Sequence, residues 1–202
     1  MKKYLSLLIM AILLPMTAGA QSAYKAGDIA TDFKLKNVKG EMVSLAQFTD
    51  AKGFIVVFWC NTCPVVKKYD ERLVKLNEEF AGKGFPVIAI NSNDKGVSPG
   101  DSYEEMQKTA TAKKYAFQYL YDESQDVARK YGATNTPHVY LLSKTDGKLK
   151  VEYVGAIDNN VDNAAAADKH YLADAVNSLI SGKPVAMAGT KAIGCSLKWK
   201  KV

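Results

Sequence analysis

Cysteine is scarce in this chain. Three occur in 202 residues, at positions 60, 63 and 195, too few to staple a disulfide-dense scaffold. Histidine is scarcer still, with two copies. A zinc half-site at Cys60 and Cys63 would need two further ligands. Cys195, His138 and His170 offer no second C-x-x-C or H-x-x-H pair, so no metal is expected. A basic stripe is also missing. The net charge is +6, but Lys67-Lys68, Lys113-Lys114 and the tail lysines 198, 200 and 201 are short, interrupted groups. Nucleic-acid binders concentrate their basic residues, so that class is excluded. No apolar run after residue 20 approaches the roughly 20 residues that span a bilayer. With 24% charged and 10% aromatic residues, disorder and fibrous repeats are excluded as well.

The longest apolar run lies at the start. Lys2 and Lys3 precede the apolar stretch Leu5 to Leu14, and Ala18-Gly19-Ala20 supplies small residues for cleavage. Residues 1–20 therefore read as a signal peptide, removed in a periplasmic or secreted protein. Cleavage would take two lysines and lower the net charge by two. The expected organisation is one domain over residues 21–182, followed by a C-terminal tail, 183–202, packed on or near it.

Within that domain, residues 27–48 read as a short hairpin turning at Lys39-Gly40. Gly53 to Trp59 is continuously apolar, as in a central strand covered on both faces. From Pro64 the period changes. Val66, Tyr69, Leu73, Leu76 and Phe80 mark one face of an amphipathic helix. A strand follows over 85–90 and then the polar loop Asn91-Ser92-Asn93-Asp94. Ser102 and Glu105 offer a capping box for a helix through about Tyr115. Residues 117–121 form a strand, and Ser124 caps a short helix closed by Gly132. Strands over 138–142 and 149–157 pair around Thr145-Asp146-Gly147. A last helix spans about 168–181, with Leu172, Val176, Leu179 and Ile180 inward. The order is an N-terminal hairpin, then βαβ, then ββα, an α/β fold.

The chemistry lies at Cys60-Asn61-Thr62-Cys63, between the buried strand and the helix. Cys60 falls at or near the helix N-cap, where free N–H groups and the helix dipole favour an anion. A thiolate there has a pKa below the free value of about 8.5 and attacks disulfides at neutral pH. Cys63, most of a turn further on, then resolves the mixed disulfide. A purely structural bond across these four residues would gain little loop entropy. The expected redox group is thus a Cys60–Cys63 dithiol/disulfide couple, with no other cofactor.

A second signal is Thr136-Pro137, directly before the hairpin strand. With FWCNTCP at 58–64, AINSND at 89–94, YLYDESQDVARKYGATNTP at 119–137 and IGCSLKW at 193–199, the chain resembles the redoxin branch of the thioredoxin superfamily. The resemblance runs over nearly all of residues 27–199. It implies a thioredoxin-like fold, a central mixed sheet of four or five strands flanked by helices. It makes Cys60 the nucleophile, Cys63 the resolving cysteine and Pro137 a cis-proline facing them. It also puts Trp59, Thr136 and Pro137 on the substrate side, with the Thr136 backbone pairing to an extended substrate chain.

Departures from the family matter equally. No acidic residue lies in the strand 54–58, where many thioredoxins carry one. Asp94 is the candidate proton acceptor in its place. His138 is a candidate for tuning the dithiol through its charge. Cys195 is either a small buried hydrophobe or a third redox cysteine, since an unpaired thiol is unusual in an exported protein. Counting back from Cys60, Val57 and Gly53 stand where a peroxiredoxin carries Thr or Ser and Pro.

The reading is an exported thiol–disulfide oxidoreductase acting on protein or small-molecule thiols and disulfides, supplied with electrons by a membrane donor. Its rivals are a thiol peroxidase and a non-catalytic binding domain on the same fold.

Overall fold

The structure is a computed structural model that describes residues 23–201. The expected signal peptide, residues 1–20, lies outside the described residues.

The apolar run forms strand β4, Gly53–Trp59, every residue of which is buried. Alternation divides it between two cores. Ile55, Val57 and Trp59 join one cluster, and Phe54, Val56 and Phe58 join the other. To name its neighbours, β1 is Ile29–Ala30, β2 Lys34–Asn37, β3 Met42–Ser44, β5 Val87–Asn91 and β6 Gln118–Tyr121. Further along come β7, Asn135–Thr136, then the hairpin strands β8, His138–Thr145, and β9, Lys148–Gly155. The main sheet runs β1-β9-β8-β4-β5-β6-β2-β3. β5 is parallel to β4 and to β6, whereas β8 is antiparallel to β4. The sheet is therefore mixed, and its five central strands are those of a thioredoxin-like fold. It reaches eight strands because β1 adds to β9 at one edge and the β2–β3 hairpin adds to β6 at the other.

Helix α1, Pro64–Phe80, buries Val66, Tyr69, Leu73, Leu76 and Phe80, the stripe its period predicts. It shares its core with α2, Tyr103–Lys113, and α4, Tyr171–Ile180. The opposite core holds Tyr131 of α3, Asp126–Tyr131, whose ring meets Tyr24, Phe58 and Tyr140. Each buried apolar side chain of this size stabilises the fold by about 1.5–3 kcal/mol. Gly132 ends α3 at φ 76°, a left-handed position that glycine occupies without strain.

Two local expectations are corrected. α3 begins at Asp126, and its free N–H groups at Val127 and Ala128 are taken by the Asp122 carboxylate at 3.3 and 2.9 Å. Ser124 holds only the Asp126 N–H, at 3.3 Å. Ile180 is 40% exposed: it is the last residue of α4, beyond the buried face of Leu172, Ala175 and Val176, while Leu179 still packs against the core.

Strand β10, Cys195–Ser196, returns the C-terminal segment to the middle of the molecule, where it pairs antiparallel with β7.

Candidate active site

β4 ends at Trp59 and α1 begins at Pro64, so the four residues from Cys60 to Cys63 form the turn between them. The N-cap is Cys63, with extended backbone angles, rather than Cys60. Cys60 lies three residues earlier, 1% exposed. Its Sγ is 3.2 Å from the Thr136 hydroxyl. Thr136 Oγ1 and the N–H groups of Cys63 and Thr62 favour the thiolate, but burial and the nearby Asp101 carboxylate oppose it more strongly. The Cys60 thiol is therefore pushed up from its ordinary value. The sequence expectation of a depressed pKa is reversed, because it weighed the helix dipole without the loss of water.

The expected Cys60–Cys63 pair is likewise not the bond present. Cys63 is joined to Cys195 across 132 residues of chain, with Cα atoms 5.9 Å apart, and Cys60 is the free cysteine. The physical reason is β10. Its pairing sets Cys195 opposite Thr136, and Thr136 O lies 3.3 Å from Cys63 Sγ. The Thr136–Pro137 peptide bond is cis. Thr136 thus touches one sulfur through its hydroxyl and the other through its carbonyl.

The residues between the cysteines are held by a group that the sequence reading missed. Asp101 is completely buried and takes part in none of the ion pairs among the described residues. Its carboxylate accepts the Asn61 N–H at 2.6 Å, the Thr62 hydroxyl at 2.7 Å, the Ser98 hydroxyl at 2.7 Å and the Asn93 amide at 2.8 Å. Asn61 in turn donates to Gly100 O at 2.9 Å and accepts from the Tyr119 hydroxyl at 2.9 Å. The one available signal was the Ser98-Pro99-Gly100-Asp101 break, which marks a turn but not a buried acid.

Other candidate residues fall differently. Trp59 is 1% exposed in the core beneath α1, so its indole presents no face to a substrate in this form. Asp94 accepts the Val97 N–H at 3.1 Å and closes its own loop. The carboxylate acting on Cys60 is Asp101 instead. His138 alternates onto the Tyr140 face of β8, with ring centroids 4.9 Å apart, away from the core that holds both site cysteines. Burial lowers its pKa to about 4, so it carries no charge near neutrality. Beside Cys60, a cavity of about 370 Å³ opens between α1 and α2, lined by Asn61, Lys67, Asp70, Lys113 and Tyr115. Lys113 and Asp70 pair across it at 2.8 Å.

Fold and site together define a redoxin, a thioredoxin-like α/β chain with its cysteines at the junction of a buried strand and a helix. Residues 26–155 match the AhpC/TSA family, and the chain belongs to that family. It is 25% identical over 142 residues to the thiol-disulfide oxidoreductase ResA of Halalkalibacterium halodurans, covering 70% of this chain and 76% of the relative. The crystal structure of an uncharacterized conserved protein from Geobacillus kaustophilus is 37% identical. It superposes with a TM-score of 0.82, covering 94% of this chain and 100% of that one. The thioredoxin domain of a thiol-disulfide oxidoreductase from Bacteroides vulgatus shares the fold, with TM-score 0.53 and 24% identity, over 66% of this chain and 91% of its own. The chain is thus an oxidoreductase of the thioredoxin superfamily.

Proposed function

We propose that the protein is an exported thiol–disulfide oxidoreductase. The Cys60 thiolate attacks a substrate disulfide, expels one substrate thiol and leaves a mixed disulfide. Once a dithiol donor has opened the Cys63–Cys195 bond, the Cys63 thiolate attacks the Cys60 sulfur, closes a Cys60–Cys63 bond and releases the second thiol. The observation that carries this reading is the convergence of both sulfurs on Thr136, at 3.2 Å from its hydroxyl and 3.3 Å from its carbonyl. The Thr136 backbone, which β10 covers in this structure, is the edge on which an extended substrate would pair once β10 lifts away. Protein or small-molecule disulfides reach Cys60 from the cavity beside α1. The name carried by the ResA relative supports the same chemistry. The N-terminal segment supports export, with residues 21–182 as the catalytic domain, 183–202 as its tail, and electrons arriving from a membrane donor.

Insulin reduction with a dithiol donor, comparing wild type with Cys60→Ser, tests the reading. Activity should be lost in the variant, and equal activity in both would sink it. The AhpC/TSA match favours peroxide reduction as the rival. Val57, fully buried, stands where a peroxiredoxin carries its hydroxyl, which argues against it. Peroxide consumption abolished by Cys60→Ser, with no insulin reduction in wild type, would establish the rival.

A further inference from the structure

We infer that Cys195 is a third redox cysteine of this site: it takes the disulfide from Cys63, returns Cys60 to the thiol, and seats its own strand on the Thr136 edge. The inference rests on the thiol–disulfide reading above.

The chain around Cys195 is built to fit there. Cys195 pairs with Thr136 and Ser196 with Asn135, in the antiparallel register an extended substrate would use. Asn135 Nδ2 donates to Gly194 O at 3.0 Å, and Leu197 N donates to Thr134 O at 3.0 Å. Gly194 passes so close that a Cβ there would lie 2.1 Å from Thr136 O. The crossing is also tied down on both flanks. Thr190 N donates to Val154 O at 3.0 Å on one side, and Lys198 N donates to Asn93 Oδ1 at 2.8 Å on the other. Those ties anchor the segment on either side of the crossing, so β10 can lift from Thr136 and still return the Cys195 sulfur to Cys63 at a high effective concentration.

The electrons balance without an added oxidant. After the substrate has been reduced and Cys60–Cys63 has closed, the Cys195 thiolate attacks Cys63 Sγ. The Cys63–Cys195 bond forms, the Cys60–Cys63 bond breaks, and Cys60 leaves as a thiolate that takes up the proton Cys195 gave away. Burial and the Asp101 charge then favour the protonated Cys60, which slows attack back on Cys63. A dithiol reductant reopens the bond at Cys195, the partly exposed residue of the pair. Its first thiolate attacks Cys195 Sγ, Cys63 departs, and its second thiol resolves the mixed disulfide.

The test is disulfide mapping of the full chain. The fully reduced protein is oxidised with one equivalent of a small disulfide, quenched in acid, alkylated and cut with trypsin. In wild type, peptide 53–67 should be linked to peptide 192–198, with the alkyl group on Cys60. In Cys195→Ser the bond should move to Cys60–Cys63. In Gly194→Val, which keeps the thiol but blocks the close approach to Thr136, the 63–195 link should fall at least several-fold. A wild-type product bonded 60–63 with alkylated Cys195 would overturn the inference, as would an undiminished 63–195 link in Gly194→Val. Neither result touches the parent reading, which is tested separately by insulin reduction in wild type and in Cys60→Ser.

Discussion

The carboxylate of Asp101 accepts the backbone N–H of Asn61 at 2.6 Å, so a buried negative charge holds the turn between the two site cysteines. The same charge works against the Cys60 thiolate. Asp101→Asn should therefore do two opposed things. An amide turned toward four donors leaves some of them unpaired, at a cost of about 3 kcal/mol. Removing the charge should lower the Cys60 pKa. Urea denaturation reads the first effect and thiolate absorbance against pH, with Cys60→Ser as blank, reads the second. An unmoved titration would show that the charge does not reach the sulfur.

Thr136→Val removes the hydroxyl 3.2 Å from Cys60 Sγ and keeps the side chain's shape. The thiolate loses a hydrogen-bond donor, so the Cys60 pKa should rise further. Thr136→Val and Asp101→Asn should thus shift the same absorbance titration in opposite directions. A downward shift in Thr136→Val would contradict the assigned role of the hydroxyl.

His138 makes stability depend on acid. Its folded pKa, about 4, lies below the ordinary 6.5 because burial disfavours the charged ring. Between those values the unfolded chain binds the proton and the folded chain does not, so stability falls as pH drops from 6.5 toward 4. The loss attributable to this residue is about 3 kcal/mol in full. His138→Phe should flatten that part of the stability curve measured by denaturant titration. A curve parallel to wild type would assign the acid sensitivity elsewhere.

Arg72 pairs with Asp158 at 2.6 Å, and Asp158 also accepts the Tyr69 hydroxyl at 2.8 Å. The guanidinium further donates to the carbonyls of Asn160 and Val161, tying that loop to α1. Arg72→Met should cost about 3–5 kcal/mol by stranding a buried carboxylate. Adding Asp158→Leu should recover most of that loss, since no charge is then left unpaired. Thermal and urea unfolding of both variants decide it, and a double variant no better than the single would refute the account.

Much of this protein was legible locally. The seven-residue apolar run suited a buried strand, and the stripe from Val66 to Phe80 matched a helix face, because side-chain period is a short-range property. Thr145-Asp146-Gly147 announced its hairpin for the same reason. The two cysteines at the strand–helix junction, and the redox chemistry they suggest, were also readable at a spacing of three residues. Trp59 is buried because strand alternation, not its motif, decides which way it points.

What the tertiary structure alone decided involves residues far apart in sequence. Asp101 reaches Asn61 across 40 residues, and Cys195 reaches Cys63 across 132. Neither approach leaves a local pattern, since burial of a carboxylate and the seating of a tail strand depend on how the sheet and loops close around them. The sequence determined that a cysteine, Cys60, stands at the junction of a buried strand and a helix. Packing determined that its thiol is buried, that an acid lies beside it, and that its neighbour is bonded to the tail.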